Sequence, residues 1–377
     1  MNFLVHENLP QLPELLASQG DVEVFSGRQP LAHQLRQADV IFLRSITRVD
    51  ESLLDLAAHV KLIGTGTIGT DHVNIEACKA RGISFVSTPG ANAVSVGEYV
   101  LAATLHVASK HSLTLEGKKA LVVGAGHTGT QAGRRLEALG LEVYYIDPAP
   151  VIEDSTKTFV SWDFLEHADV ISIHVPLVKD EPNPTFHLMA QAELERVKKN
   201  AILINASRGA TIDNRALLAH LRSNSNAFHL VLDVWEGEPH VLEELVDFTE
   251  IATPHIAGHS LEGKLRASLQ LYHSLCSYFP EQFSERSWQN IAPPVTTTDY
   301  QWSRIPELNG LKNIVSSVYN IELDDWHFRK EGLTASGFDA LRQNYPIRRE
   351  LSSLRIQAKK AIAAQVEALG FGVELGE

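Results

Sequence analysis

An arginine, a glutamate and a histidine each follow a short apolar run, and together they could move a proton. They are Arg208 in segment 205–209, Glu238 in segment 233–239 and His255 in segment 253–259. An imidazole can accept a proton near neutral pH, and a neighbouring carboxylate raises its pKa and fixes its tautomer. A guanidinium binds a carboxylate through two hydrogen bonds and polarises a carbonyl that forms beside it. The trio therefore predicts removal of a hydroxyl proton next to a bound carboxylate.

A glycine pattern follows the apolar run at residues 120–123. Gly124, Gly126 and Gly129 form G-x-G-x-x-G before a predicted helix at 130–139, and Asp147 ends a later apolar run. In a dinucleotide site the first glycine permits a tight turn, the second admits the pyrophosphate and the third lets helix and strand pack closely. The N-terminus of the helix favours the phosphate charge. Asp147 could accept hydrogen bonds from ribose hydroxyls and would repel a 2′-phosphate, so the pattern predicts NAD rather than NADP.

These residues need elements that bring them together, and the sequence alternates predicted strands with segments of helical spacing. Such alternation predicts parallel sheets with helices on both faces. The predicted strands lie at 3–5, 22–25, 40–43, 61–64 and 83–86 in a first series and at 120–123, 142–146, 170–173, 201–204, 230–232 and 251–253 in a second. Long helices are predicted at 95–110 and 260–279. Because the carboxyl ends of parallel strands line a crevice, we expect the trio to converge there and the ligand to bind between two lobes.

The composition changes after residue 280. Residues 284–300 contain two adjacent prolines and three successive threonines, which is typical of a linker. Residues 314–318 are predicted as a strand, and 357–369 as an amphipathic helix with Ile362, Val366 and Leu369 on one side. A segment this small has a marginal core alone, so we expect a second subunit to cover part of it. The basic pair at 348–349 is expected to be solvated, with a neighbouring subunit's phosphate as the alternative.

The order of these motifs resembles the D-isomer-specific 2-hydroxyacid dehydrogenases over about residues 40–280. The shared series is G-x-G-x-x-G, Asp, N-x-x-R-G, D-V-x-x-x-E-P and P-H-I-A-G. The resemblance implies hydride transfer from C2 of a hydroxy acid to NAD, with Arg208, Glu238 and His255 as catalytic residues. It implies a cofactor site made of Gly124, Gly126, His127, Thr128, Gly129, Asp147, Val175, Ser207, Asp233 and Gly258, in which Asp233 contacts the nicotinamide carboxamide.

For one group within this family the resemblance covers nearly the whole chain. That group acts on a phosphorylated hydroxy acid and carries a C-terminal dimerisation domain. The resemblance implies that Ser45, Thr67 and His259 hold the substrate and that the chain forms a homodimer. Two positions depart from the family pattern, because His259 stands where Tyr is usual and Val175 where Thr is usual.

We therefore predict an α/β protein with two doubly wound parallel-sheet lobes and a small C-terminal α+β dimerisation domain. One lobe is flavodoxin-like and binds substrate, with residues 1–94 and 257–284. The other is a Rossmann lobe that binds NAD, with residues 95–256. The dimerisation domain takes residues 285–377.

The bulk composition excludes several other classes of protein. The 33 basic and 46 acidic residues give a net charge of −13, which repels nucleic acid. Two cysteines argue against a disulfide framework, and neither a secretory pattern nor a bilayer-length apolar run is present. We expect a cytoplasmic enzyme with no nucleic-acid or membrane partner and no metal. His255 and His259 have i, i+4 spacing, but Pro254 and Gly258 oppose a helix there and no third ligand motif follows.

Two other functions stay open. The first is another dehydrogenase of the same family, acting on phosphoglycerate or a simple 2-hydroxy acid. The second is a non-catalytic, NAD-sensing binding protein on the same fold, as in certain transcriptional co-repressors. The presence of Arg208, Glu238 and His255 together favours an enzyme.

Overall fold

The computed structural model describes residues 1–148, 155–180, 182–224, 228–284 and 286–376. It divides into two compact units. The first unit comprises Met1–Asn92 with Ser260–Pro294, and the second comprises Ala93–His259 with Val295–Glu377. The predicted limits of the last domain, residues 285 and 377, lie outside the described residues, so those domain limits stay a prediction.

The first unit contains a five-stranded sheet in the order β2-β1-β3-β4-β5, and its strands pair in parallel. Its strands are β1 Asn2–His6, β2 Asp21–Phe25, β3 Val40–Leu43, β4 Leu62–Thr65 and β5 Ser84–Val86. Its helices are α1 Leu12–Leu16, α2 Ala32–Gln37, α3 Glu51–Leu56, α4 Ile75–Ala80 and α10 Leu261–Tyr278, numbered in chain order.

The three central strands of this sheet, β1, β3 and β4, are buried on both faces, which explains their largely apolar sequences. In β3, Ile41 and Leu43 pack with residues of α2, α3 and α4, whereas Val40 and Phe42 pack with residues of α1 and α10. The order of the strands is that of a flavodoxin-like lobe. The prediction of a first doubly wound lobe is therefore confirmed.

The second unit contains a six-stranded parallel sheet in the order β11-β10-β9-β8-β6-β7. Tyr145 in β7 also forms a single parallel bridge with Phe159, where a Rossmann sheet has its third strand. The strands are β6 Lys119–Val123, β7 Glu142–Ile146, β8 Val170–Ile173, β9 Ile202–Asn205, β10 His229–Leu232 and β11 Thr249–Ala252. The predicted Rossmann lobe is confirmed.

The helices of this lobe include the predicted long one, which begins two residues earlier than expected. They are α5 Ala93–Lys110, α6 His127–Ala138, α7 Gln191–Glu195, α8 Asn214–Ser223 and α9 Glu243–Val246. Helix α5 is buried on most of its surface. A Cβ on Gly97 would lie 2.9 Å from the backbone of Gln131, so α5 and α6 approach closely at this glycine.

The C-terminal segment of the second unit is an α+β arrangement around a three-stranded parallel sheet, β12-β13-β14. This agrees with the predicted fold class. Its elements are β12 Thr296–Trp302, α11 Leu308–Val318, α12 Ile321–Glu331, α13 Ala335–Gln343, β13 Leu354–Ala358, α14 Ala363–Leu369 and β14 Gly372–Leu375.

Three local predictions in this segment were wrong. Residues 314–318 belong to helix α11, because Leu311 and Val315 form a buried helical stripe. The threonines at 296–298 begin strand β12 rather than ending a linker, since threonine suits a strand as well as a loop. The predicted helix at 357–369 begins only at Ala363, and its first two residues lie in β13.

The burial expected from a second subunit is supplied partly by the same chain. Phe328 and Phe338 are fully buried in one cluster with Trp235, and the rings of Phe328 and Trp235 stack with centroids 5.3 Å apart. Arg348, expected to be solvated or to meet a partner's phosphate, is only 5% exposed. The sequence could not reveal this burial, because an Arg-Arg pair is usually exposed. Among the described residues, no helix combines the length and apolarity that crossing a membrane requires.

Candidate active site

The three predicted catalytic side chains follow neighbouring strands of the Rossmann sheet. Arg208 follows β9, Glu238 follows β10 and His255 follows β11, and these strands are adjacent in that order. The carboxyl ends of parallel strands lie at one edge of a sheet, where ligands of this fold class bind. The structure therefore places all three residues at the edge where the sequence predicted them.

His255 and Glu238 contact each other directly. Nδ1 of His255 donates to Oε1 of Glu238 at 2.5 Å, and Oε2 of Glu238 accepts from the Trp235 N–H at 3.2 Å. Burial alone would raise the pKa of Glu238, but the nearby His255 and Arg342 and the Trp235 N–H together lower it below its ordinary value. Glu238 is thus a carboxylate that fixes the imidazole tautomer, and Nε2 is the nitrogen left to exchange a proton.

The turn that carries His255 is held by Asp233. The backbone of His255 is left-handed, with φ of 58°, and its N–H donates to the Asp233 carbonyl at 2.6 Å. One carboxylate oxygen of Asp233 accepts from Thr253 Oγ1 and the Ile256 N–H, each at 2.7 Å, and the other accepts from the Ala257 N–H at 3.0 Å. These bonds stabilise a backbone conformation that is strained in a non-glycine residue.

The network around Asp233 includes a tyrosine that sequence reasoning missed. The Tyr99 hydroxyl and Thr253 Oγ1 lie 2.8 Å apart, and both residues are fully buried. Tyr99 lies inside helix α5, where its spacing indicates only core packing. The predicted contact of Asp233 with the nicotinamide remains a prediction, because this carboxylate binds its own chain in the structure.

Arg208 is half-buried in a turn fixed by short polar side chains. Its Nη1 donates to the Ser207 carbonyl at 2.9 Å, and Thr211 Oγ1 donates to the Arg208 carbonyl at 2.7 Å. Ser207 is buried, and its hydroxyl donates to Asn205 Oδ1 at 2.8 Å. A Cβ on Gly209 would overlap the Trp235 carbonyl, so this turn packs against the loop that carries Glu238.

The glycine turn has the geometry that a pyrophosphate requires. Gly124 has φ of 101°, and a Cβ there would lie 2.7 Å from the His174 carbonyl oxygen. A Cβ on Gly129 would overlap the Gly124 carbonyl oxygen, whereas a Cβ on Gly126 would meet no described heavy atom within 4 Å. The open space at Gly126 lies at the start of helix α6, beside the exposed His127. The N–H groups of that helix end, including Thr128, can therefore receive an anion.

A cavity lies beside this turn at the end of β7. Its volume is about 230 Å³, and Asp147 and Val175 line it together with Pro148, Pro176, Val178, Pro182, Asn183 and Thr185. Oδ2 of Asp147 accepts from the Ala125 N–H at 2.8 Å, which fixes the carboxylate next to the glycine turn. An apolar wall with one carboxylate suits an adenosine, so these residues fit an NAD molecule.

The remaining predicted residue of the cofactor site, Gly258, is half-buried three residues after His255. His259, predicted to hold substrate, donates its N–H to the Ile256 carbonyl at 2.8 Å. Its ring meets Tyr345 edge-on, with centroids 5.6 Å apart. Both residues thus belong to the same turn as His255.

The other predicted substrate residues, Ser45 and Thr67, lie in the first unit. Ser45 is exposed after β3, and Thr67 is half-buried after the adjacent strand β4. Oγ1 of Thr67 donates to the Gly69 carbonyl at 3.0 Å and lies 2.9 Å from Oγ1 of Thr65. Arg44 Nη1 donates to the Gly66 carbonyl at 2.7 Å. Hydroxyls and a guanidinium therefore occupy one end of this sheet.

Two groups of histidines and carboxylates in the described residues bring possible metal ligands within 4.8 Å of one another. They are His111, His229 and Glu250, and His187, Asp213 and Glu236. Each group contains hydrogen bonds between its own members, such as His187 Nε2 to Glu236 Oε1 at 2.7 Å. Neither group contains the pair His255 and His259.

Residues 91–257 match the family model described as "D-isomer specific 2-hydroxyacid dehydrogenase, NAD binding domain". Residues 292–370 match a domain of unknown function. The chain is 41% identical to an erythronate-4-phosphate dehydrogenase of Shewanella amazonensis over 98% of this chain and 99% of that one. It is 42% identical to the Aeromonas hydrophila erythronate-4-phosphate dehydrogenase, with the same coverage.

The chain belongs to the erythronate-4-phosphate dehydrogenase family. This family lies within the D-isomer specific 2-hydroxyacid dehydrogenases, and the matched NAD-binding domain makes NAD the cofactor. A Thermus thermophilus protein of known structure shares the fold at 28% identity and a TM-score of 0.65, over 74% of this chain and 97% of that one. The NAD-bound 3-phosphoglycerate dehydrogenase of Entamoeba histolytica shares it at 22% identity and a TM-score of 0.65, over 75% of this chain and 96% of that one.

Proposed function

We propose that this protein oxidises C2 of erythronate 4-phosphate with NAD. The products are 2-oxo-3-hydroxy-4-phosphobutanoate and NADH, and the reaction serves pyridoxal phosphate (vitamin B6) biosynthesis. The observation that carries the proposal is the 2.5 Å contact between His255 Nδ1 and Glu238, which leaves one imidazole nitrogen for the substrate. The proposed substrate is taken from the names of the relatives that match nearly the whole chain.

Each side chain has a defined task in this reaction. NAD, when bound, accepts the hydride from C2. His255 takes the hydroxyl proton through Nε2, and the Glu238 carboxylate stabilises the imidazolium that results. Arg208 binds the substrate carboxylate and polarises the new carbonyl group. In the reverse direction His255 returns the proton.

The cofactor and the substrate are held by separate sets of residues. The pyrophosphate is bound by Gly126, His127 and Thr128, and Asp147 accepts hydrogen bonds from the hydroxyls of the adenosine ribose. The proposal adds Val175, Ser207, Asp233 and Gly258 as further contacts of the cofactor. Ser45, Thr67 and His259 bind the substrate, and the histidine at 259 can donate the hydrogen bond that a tyrosine gives elsewhere in the family.

A substrate panel tests the proposal directly. We expect NADH to form with erythronate 4-phosphate, at a kcat/KM at least tenfold above that with 3-phosphoglycerate or lactate. NADH formation with 3-phosphoglycerate but none with erythronate 4-phosphate would instead support another dehydrogenase of the family. A His255→Ala variant that keeps the wild-type rate would support the non-catalytic, NAD-sensing alternative.

We further propose that the chain acts in the cytoplasm as a homodimer joined through its C-terminal segment. Leu323 and Trp326 lie one helical turn apart on α12, and they are 51% and 52% exposed. Large apolar side chains that are exposed next to each other on one helix face can form a contact surface. We expect sedimentation of the wild type to give a dimer and of Leu323→Asp/Trp326→Asp to give a monomer; a monomeric wild type contradicts the proposal.

A further inference from the structure

Arg348 is a buried cation in the C-terminal segment. Its guanidinium lies 3.5 Å from the centroid of the Tyr319 ring, and the residue is 5% exposed. Taking a guanidinium out of water is costly unless its donors are satisfied. The partners of Arg348 therefore indicate what this burial achieves.

Both hydrogen bonds that the structure shows for Arg348 go to backbone carbonyls of the Rossmann lobe. Nη1 donates to the carbonyl of Ala257 at 3.1 Å, and Nη2 donates to the carbonyl of Ser95 at 2.8 Å. Ala257 lies two residues after His255, and Ser95 lies in the first turn of α5. The guanidinium thus ties residues 253–259, the proposed catalytic turn, to the longest helix of the lobe.

The catalytic turn is consequently held from two sides. The Asp233 carboxylate accepts hydrogen bonds from the N–H groups of Ile256 and Ala257, and Arg348 donates a hydrogen bond to the carbonyl of Ala257. The turn needs such support because His255 has the left-handed φ of 58°, which is strained in a non-glycine residue. If one side were released, the backbone could relax and move the imidazole away from its productive position.

We propose that Arg348 is a positioning residue for His255. By fixing the Ala257 carbonyl, it keeps the imidazole where Nε2 can reach the C2 hydroxyl. This inference rests on the proposed role of His255 as the base. It gives the C-terminal segment a part in each active site besides the contact between subunits.

Neighbouring side chains of the same segment favour a built contact. Tyr345 donates its hydroxyl to Asp324 Oδ2 at 2.7 Å, and the Tyr345 ring meets that of His259 in the catalytic turn. Tyr319 covers one face of the guanidinium, and the half-buried Asp324 lies near enough to attract it. The segment therefore contacts the turn that carries His255 at Ala257 and at His259.

The test uses Arg348→Lys and Arg348→Gln in the full-length protein, with Arg355→Lys as the control. The guanidinium reaches the two carbonyls from two separate nitrogens, whereas lysine and glutamine each offer their donors from a single nitrogen. Arg355 is exposed on β13. We expect kcat to fall roughly 10- to 100-fold in the Arg348 variants, because small misplacements of a catalytic group have effects of this size. KM for the substrate and Kd for NAD should change less than about twofold.

Two readouts separate positioning from general loss of structure. With C2-deuterated substrate, the isotope effect on kcat should rise in the Arg348 variants as hydride transfer becomes slower. Hydrogen exchange without substrate should quicken at the amides of residues 255–259 but not at those of 124–129. The control should match the wild type in both.

Unchanged kcat and unchanged exchange at 255–259 in the folded Arg348 variants would overturn the proposal. So would unfolding of both variants, or an equal loss of NAD affinity and kcat, because either indicates a structural role only. Failure of the proposed function gives a different result, namely a wild type that does not oxidise erythronate 4-phosphate. The hydrogen-exchange experiment measures the protection of the amides of residues 255–259 without any substrate. It therefore still tests whether Arg348 holds the turn.

Discussion

At the scale of single residues, the contact between His255 and Glu238 is the feature on which proton removal depends in the proposed reaction. The Glu238 carboxylate acts on the imidazole by charge as well as by hydrogen bonding, since the imidazole lowers the pKa of Glu238. We expect Glu238→Gln to keep the fold but to lower kcat/KM roughly 100-fold or more, because the neutral amide cannot stabilise an imidazolium. Steady-state kinetics with NAD measure this effect.

The matched control for that variant is Glu243→Gln, an exposed carboxylate at the start of α9. It should retain wild-type kinetics. A Glu238→Gln enzyme with kcat/KM within threefold of the wild type would show that His255 works without its carboxylate partner.

A second prediction at this scale concerns Asp147. Its carboxylate lines the cavity and accepts the Ala125 N–H, so Asp147→Asn can keep that bond while it loses the charge. We expect the preference for NAD over NADP, as a ratio of kcat/KM values, to fall at least about tenfold, which corresponds to 1.4 kcal/mol. Asp180→Asn, at an exposed position, should leave the ratio unchanged. An unaltered ratio of kcat/KM values in Asp147→Asn would show that Asp147 does not contact the ribose.

At the scale of elements, two glycines of the turn between β6 and α6 have different roles, Gly129 in packing and Gly126 in the proposed binding of NAD. A methyl group on Gly129 overlaps the Gly124 carbonyl oxygen, but one on Gly126 meets no described atom within 4 Å. We expect Gly129→Ala to lower the free energy of unfolding by about 1–3 kcal/mol. Gly126→Ala should keep its stability and lose roughly tenfold or more in NAD affinity, because its methyl group occupies space for the pyrophosphate.

Thermal unfolding and NAD titration, each done on both variants, check this pair. Equal losses of stability would contradict the open space at Gly126. Wild-type NAD affinity in Gly126→Ala would place the pyrophosphate elsewhere.

At the scale of the whole molecule, buried charges join the C-terminal segment to the Rossmann lobe. Glu98 in α5 accepts the Leu351 N–H at 3.0 Å. Burial and the nearby Glu350 raise the pKa of Glu98 to about 8, against the opposing effect of Arg135 and Arg348. The proton on Glu98 therefore stabilises the fold fully below the ordinary carboxyl pKa of 4.5, and this contribution is lost as the pH rises through about 8.

We expect Glu98→Gln to remove this loss, because the amide resembles the protonated carboxyl group. Between pH 6 and 9, the free energy of unfolding should fall in the wild type by at least about 1 kcal/mol more than in the variant. Denaturant unfolding at several pH values measures the difference. Glu367→Gln, exposed on α14, should follow the wild type; parallel pH curves for wild type and Glu98→Gln would contradict the prediction.

The sequence alone determined the order of the elements in both lobes, since buried parallel strands are continuous apolar runs. It also determined which residues follow the strands, so Arg208, Glu238, His255 and the glycine turn could be named. Its predictions were weakest after residue 280. There Val315 was assigned to a strand, because a short stretch with β-branched residues does not distinguish a strand from a buried helix.

Only the tertiary structure decided which groups hold the catalytic turn. Asp233, Tyr99 and Arg348 are far apart in the chain, and each meets the turn or its support through hydrogen bonds that no sequence spacing encodes. Arg348 is the sharpest case, because a pair of arginines indicates a solvated surface. Its burial depends on carbonyls and an aromatic ring that come together only when the C-terminal segment packs against the Rossmann lobe.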